Sequence, residues 1–296
     1  MGAGSSAQKT PQSLAVEFDV TTHVPVEKVI EVAELAGQAI MRVYNSEDFG
    51  VQTKADESPL TRADTEANAI ICKGLAELAP HVPIISEENK QLPHSVRKGY
   101  QYCWLVDPLD GTKEFIKRNG EFTVNIALIQ ANAPVMGVLH VPVTKETFFA
   151  VEGRGAFVRR QGVTTQITAA EFNPSAKGVI IVGSASHMSN ETKEFVSLFE
   201  EPEFKQMGSS LKLMMVAEGT AHVYPRLFPT MEWDTAAADV IVREAGGVVL
   251  YAGLCNGKGE VLEDWKDEVL KERTLQYNKE DLLNPCFVVF GKRRDV

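Results

Sequence analysis

Carboxylates placed at the ends of apolar runs are the chemistry this chain carries most plainly. Asp107 and Asp110 stand three residues apart in Trp104-Leu105-Val106-Asp107-Pro108-Leu109-Asp110-Gly111-Thr112. Pro108 has no N–H for a ladder and Asp-Gly is a turn signal, so a strand over 102–107 is expected to stop on Asp107. Two acids on such a turn suit a hard cation such as Mg²⁺, which takes oxygen ligands, and the Leu109 carbonyl is a third oxygen. Thr112 follows with a hydroxyl within reach of a bound water. The same residues would also build an ordinary Asx-type turn. Glu87 closes a second apolar run in Ile84-Ile85-Ser86-Glu87-Glu88, Asp234 opens an alanine-rich helix, and Asp64 follows Leu60-Thr61-Arg62-Ala63. Separated acids of this kind are what a multi-metal phosphate site needs. An acid in a first helical turn is also favoured by the helix dipole alone.

A second constellation is Gly208-Ser209-Ser210-Leu211-Lys212. A glycine and two hydroxyls opening a helix, with an ammonium beside them, make an anion site. A serine there equally serves as a simple N-cap.

These groups need elements to hold them. Pro25 opens a helix with Val29, Val32, Ala36, Ile40 and Val43 on one face, ending near Asn45. A second helix is expected over 64–79, with Ala67, Ile70, Ile71, Leu75 and Leu78 inward and Pro80 stopping it. Strands follow over 83–86, 102–107, 123–130, 135–141 and 146–152, then a hairpin over 156–168. Beyond 172 strands (179–182, 221–224, 247–251) alternate with helices (190–200, one after Gly208, 234–245). The expected class is α/β: a leader over 1–22, an α+β metal-binding domain over 23–170, and an α/β substrate-binding domain over 171–296.

A net charge of −10 leaves no basic excess to displace counterions, which argues against nucleic acid as a partner. It does not argue against a small phosphate ester, because a bound metal inverts the local field. Cys72, Cys103, Cys255 and Cys286 are scattered without metal-ligand spacing and read as reduced thiols of a cytoplasmic protein. No run reaches the ~20 apolar residues of a membrane span. Met1-Gly2-Ala3-Gly4-Ser5-Ser6 fits the myristoylation pattern at Gly2 and equally a plain Gly/Ser leader. A single acyl chain would give only weak membrane association. Oligomeric state is not legible here.

Taken in order from Val26 to Phe290, these motifs resemble the inositol monophosphatase superfamily of Mg²⁺-dependent, lithium-sensitive phosphatases. Within it, the run DGTKEFIKRNGEFTVNIAL from Asp110 is similar to the bacterial-type 3'(2'),5'-bisphosphate nucleotidases. The resemblance implies a layered αβαβα sandwich with two or three Mg²⁺ ions between its halves. It assigns Glu87, Asp107, the Leu109 carbonyl, Asp110 and Asp234 to metal, and Asp64 with Thr112 to the dyad that activates water. It gives Gly111 and Thr112 phosphate oxygens, and His187, Ser209, Lys212, Arg226 and Asp234 the substrate. The implied reaction removes the 3'-phosphate of 3'-phosphoadenosine 5'-phosphate to give AMP, clearing a by-product of sulfate assimilation. The chain departs from the bacterial pattern at Ala185, where those relatives carry arginine, and in its leader. An inositol phosphatase of the same superfamily is the alternative. Its monophosphatase branch reads D-G-T-x-N-F where this chain has Asp110-Gly111-Thr112-Lys113-Glu114-Phe115, although inositol polyphosphate 1-phosphate remains an open substrate. A silent binding protein on the same fold finds no support, since every expected acid is present.

Overall fold

The computed structural model describes residues 24–53, 59–184, 189–254, 263 and 265–294. The leader with Gly2, the Ala185-Ser186-His187 stretch and Cys255 lie outside the described residues. Helix α1 (Val26–Tyr44) leads through a two-residue pair, β1 (Gln52–Thr53) and β2 (Pro59–Leu60), to α2 (Arg62–Leu78). Then come β3 (Ile84–Ser86), α3 (His94–Arg97), β4 (Tyr102–Asp110), α4 (Thr112–Lys117), β5 (Thr123–Gln130), β6 (Ala133–Val141), β7 (Glu146–Val151), β8 (Ala156–Arg160) and β9 (Val163–Ile167). The rest comprises β10 (Glu171–Phe172), β11 (Ile180–Gly183), α5 (Asn190–Val196), β12 (Glu203–Gln206), α6 (Leu211–Ala217), β13 (Val223–Arg226), α7 (Glu232–Glu244), β14 (Val248–Tyr251), α8 (Trp265–Leu270), β15 (Phe287–Phe290) and β16 (Lys292–Arg293).

Strands β3 to β9 form a seven-stranded sheet in sequence order, antiparallel except for the parallel β3–β4 pair. A five-stranded sheet has the order β12-β11-β13-β15-β14. Three apolar clusters glue the layers together. Alternation along each strand decides which cluster a residue joins. On β4 and β5, Trp104, Val106, Val124, Ile126 and Leu128 face α1 and α2. Cys103, Leu105, Ala127 and Ile129 face α6 and α7 on the opposite side. The second sheet divides likewise: Phe287 and Val289 face α7, while Val288 and Phe290 share the outer cluster with α5 and α8. The result is an αβαβα sandwich whose central layer, α6 and α7, lies between the two sheets. The alanine-rich middle of α7 approaches β6 so closely that a Cβ on Gly137 would lie 2.3 Å from the Ala237 carbonyl oxygen.

Several local expectations change. Strand β4 does not stop at Asp107. Asp107 pairs with Asn125 and Asp110 with Thr123, so three steps on β4 oppose two on β5, a bulge centred on Pro108 and Leu109. Proline could not keep the ladder, but one extra residue lets the strand resume at Asp110. Secondly, Thr112 opens a short helix, α4, through Gly111 at φ 95°. A Cβ at Gly111 would also lie 3.0 Å from the Glu121 carbonyl oxygen. Thirdly, the strand expected over 221–224 lies two residues later, which puts Arg226 at its end. The helix expected over 190–200 ends at Val196, and β12 and β15 were not anticipated.

Candidate active site

The bulge on β4, the first turn of α7 and the opening of α6 meet at one place. Oxygens of Asp107, Asp110 and Asp234 all lie within 4.8 Å of one another. In each carboxylate one oxygen is held. Asp107 Oδ1 accepts from the Leu109 N–H at 3.0 Å, and Asp234 Oδ2 from the Met231 N–H at 2.9 Å. Asp110 Oδ2 accepts from Ser209 Oγ at 2.5 Å and the Ser210 N–H at 2.6 Å, and Ser210 Oγ also lies 2.6 Å from it. The second oxygen of each has no hydrogen-bond donor among the described residues. Such an array is costly by itself. Burial, then the charges of Glu87, Asp110 and Asp234, push Asp107 well above the usual carboxylate range. Burial, then Asp110 and Glu87, do the same to Asp234. Three open carboxylate oxygens in a shared negative field are the donor set of a hard divalent cation, and the residues fit one.

Glu87 stands outside the trio but within its field. Its N–H continues the β3–β4 pairing by donating to the Val106 carbonyl at 3.1 Å. The Leu109 carbonyl oxygen lies 3.4 Å from Thr112 Oγ1, while the Leu109 side chain is buried in the core under α1 and α2.

Asp64 sits at the third position of α2 and closes its N-terminus. Its Oδ2 accepts from the Thr61 N–H at 2.7 Å and Thr61 Oγ1 at 2.6 Å. That is the capping role expected of any acid there. Its other oxygen lies 3.2 Å from Thr112 Oγ1, so Asp64 caps a helix with one oxygen and partners Thr112 with the other.

The basic side is differently built. Lys212 is buried, 6% exposed, with Nζ 2.6 Å from the Ser209 carbonyl oxygen and 5.5 Å from the Tyr224 ring centroid. Burial lowers its pKa to about 8, opposed by Asp110 and reinforced by Arg226. Arg226 donates to the Pro229 carbonyl at 3.3 Å, while its buried Nε has no partner among the described residues. These two cations, with Asp110, Gly111, Ser209 and Asp234, line a cavity of about 150 Å³. Larger clefts of 730 and 940 Å³ lie elsewhere and contain none of the clustered acids. Two N–H groups at the α6 opening are already taken, where an anion site would use them free. That of Gly208 donates to Glu121 Oε2 at 2.7 Å and that of Ser210 to Asp110.

Sequence reasoning passed over Thr123, Asn125 and Glu121. The first two are buried polar residues at alternate positions of an otherwise apolar strand, a pattern that marks a buried network. Glu121 left no such signal.

A family model described as the inositol monophosphatase family matches residues 23–283. The chain is 43% identical over 266 residues to the 3'(2'),5'-bisphosphate nucleotidase CysQ of Salmonella typhimurium, covering 89% of this chain and 98% of that protein. The Escherichia coli K12 protein of the same name is 42% identical over the same coverage. The crystal structure of CysQ from Bacteroides thetaiotaomicron matches with a TM-score of 0.72 at 42% identity, covering 90% of this chain and 97% of that one. This chain belongs to the inositol monophosphatase family.

Proposed function

We propose that this protein is a 3'(2'),5'-bisphosphate nucleotidase that removes the 3'-phosphate of 3'-phosphoadenosine 5'-phosphate, with Mg²⁺ as its metal. The carrying observation is the trio Asp107, Asp110 and Asp234, each with one oxygen held and one open, beside the Thr112–Asp64 hydrogen bond. The relatives named above supply the reaction class, and the family is metal-dependent.

In this reading Asp107, Asp110, Asp234, Glu87 and the Leu109 carbonyl hold two or three ions. Bound there, Mg²⁺ supplies charge for the phosphoryl oxygens and lowers the pKa of water. The chain's own groups do the rest. Thr112 Oγ1 orients the attacking water and passes its proton toward Asp64 Oδ1, whose other oxygen is already occupied by the Thr61 cap. Gly111 and Thr112 amides take phosphoryl oxygens. Ser209, Lys212 and Arg226 hold the second phosphate and the nucleoside, and His187 is assigned to the base side. The unpartnered Arg226 Nε favours an anion at this wall, because a buried donor without an acceptor costs about 1–3 kcal/mol.

The test is phosphate release across adenosine bisphosphates, inositol monophosphates and inositol polyphosphates, with Mg²⁺ titrated and then removed by chelator. Adenosine 3',5'-bisphosphate should be turned over fastest, and chelation should abolish release. Preference for an inositol phosphate, or full activity in chelator, would overturn the reading.

A further inference from the structure

Ser210 is buried, and its Oγ has three close neighbours: Asp110 Oδ2 at 2.6 Å, the Asp234 carbonyl oxygen at 2.7 Å and the Asn125 amide nitrogen at 3.0 Å. Proton counting orders this arrangement. A hydroxyl has one proton, and neither a carboxylate oxygen nor a carbonyl oxygen can donate. Ser210 therefore gives its proton to one of those two and accepts from Asn125. The other end of the Asn125 amide is engaged too, since Thr123 Oγ1 donates to Oδ1 at 3.0 Å. Thr123 also lies 2.9 Å from Ser209 Oγ, the remaining hydroxyl on Asp110. Asn125 is 1% exposed, between Val124 and Ile126 of the core. A polar amide inside a strand is expensive unless it is satisfied, and a satisfied network of this kind rigidifies what it touches.

We propose that Asn125 is a positioning residue for the acidic cluster. It holds Ser210 against Asp110 Oδ2, which keeps the other oxygen of that carboxylate open for the cation. The inference rests on reading the trio as a divalent-cation site. It also joins three elements at one point, because β5 (Asn125), the N-cap of α6 (Ser210) and α7 (the Asp234 carbonyl) share a single hydroxyl. Losing Asn125 leaves Asp110 with the Ser209 hydroxyl and the Ser210 N–H, so the effect is a weakened cation site rather than a destroyed one.

The experiment is calorimetric titration of Mg²⁺ into the full chain, with Tm of the metal-free protein measured in parallel. The wild type, Asn125→Ala, Ser210→Ala, the double variant and Ser210→Thr are compared. Partners one step behind a metal ligand typically affect affinity ten- to hundredfold, so Asn125→Ala and Ser210→Ala should each weaken Mg²⁺ by about that factor. The double variant should lose no more than Ser210→Ala alone, and Ser210→Thr, which keeps the hydroxyl, should bind near the wild-type level. Wild-type affinity in Asn125→Ala with only a lowered Tm would show a purely structural amide and overturn the proposal. So would a double loss equal to the product of the single losses. Should Asn125→Ala fail to fold, wild-type affinity in Ser210→Ala overturns it by itself. A wild type that binds no Mg²⁺ would instead sink the cation reading, and this proposal with it.

Discussion

The acidic and basic sides of the site face each other across a small cavity and are built on opposite principles. Asp107, Asp110 and Asp234 each spend one oxygen on the fold and leave one open. On the other side the Gly208 N–H is taken by Glu121, the Ser210 N–H by Asp110, and the Lys212 ammonium by the Ser209 and Met207 carbonyls. The acidic side is open and internally repelled, which is why Asp107 and Asp234 are driven toward protonation. The basic side is largely closed on itself, with Arg226 Nε its one donor shown unpartnered among the described residues. A cation therefore relieves strain on arrival, whereas a phosphate must displace bonds already made, and only the surplus appears as affinity.

The sharpest way to break this contrast is Asp110→Asn. The amide keeps an acceptor for Ser209 and Ser210 but removes a charge from the trio. Activity at saturating Mg²⁺ should fall by more than about a hundredfold, beyond what a partner one step behind a ligand typically costs. The metal-free protein should melt no lower than wild type, because a like charge has gone from a buried cluster. Turnover at the wild-type level would remove Asp110 from the cation and leave the trio a mere strand-end feature.

The acidic side was also the more legible in the sequence, for the same physical reason. Asp64 and Asp234 open helices and Asp107 and Asp110 flank the Pro108 bulge at the end of a strand, places where local rules put an acid and where its position can be counted from a proline, a glycine or a cap. The apolar faces of α1, α2, β4 and β5 were legible because their spacing is periodic. What escaped was non-local. The bulge that carries β4 past Pro108 depends on Thr123 and Asn125 across the ladder. The use of the α6 amides depends on Glu121, 87 residues away from Gly208. The pairing of β15 between β13 and β14 needs a partner that a window of local sequence does not contain.

On the basic side the expected effects are smaller and fall on binding. A charge-assisted contact to phosphate is worth roughly 1.5–3 kcal/mol, so Lys212→Ala should raise KM for 3'-phosphoadenosine 5'-phosphate about ten- to a hundredfold. The kcat should fall less, because a contact kept through the reaction acts equally on ground and transition states. Hydrolysis of an inositol monophosphate, which carries no second phosphate, should hardly change. Equal losses on both substrates would move Lys212 into the shared catalytic machinery and erase the division between the two sides.

Glu121→Gln asks how tightly the basic side is closed. Its carboxylate occupies the Gly208 N–H at 2.7 Å, an amide that an anion would otherwise use, and its charge supports the Lys212 ammonium. Glutamine retains an oxygen for Gly208 and so preserves the geometry, while the competing negative charge is lost. Two effects then oppose each other. Lys212 loses some support for its charged form, but an incoming phosphate no longer meets a carboxylate at the helix opening. Since Asp110 heads the groups that sustain the ammonium and Glu121 comes last, relief of repulsion should dominate. A half-buried charge of this kind is worth about 0.5–1 kcal/mol, so KM for the bisphosphate should fall roughly two- to fivefold at low salt. The gain should shrink as ionic strength rises, because screening weakens the repulsion that the substitution removes. A KM that rises instead, with kcat unchanged, would mean that Glu121 organises the α6 opening for phosphate rather than blocking it, and the basic side would then be as preorganised as the acidic one.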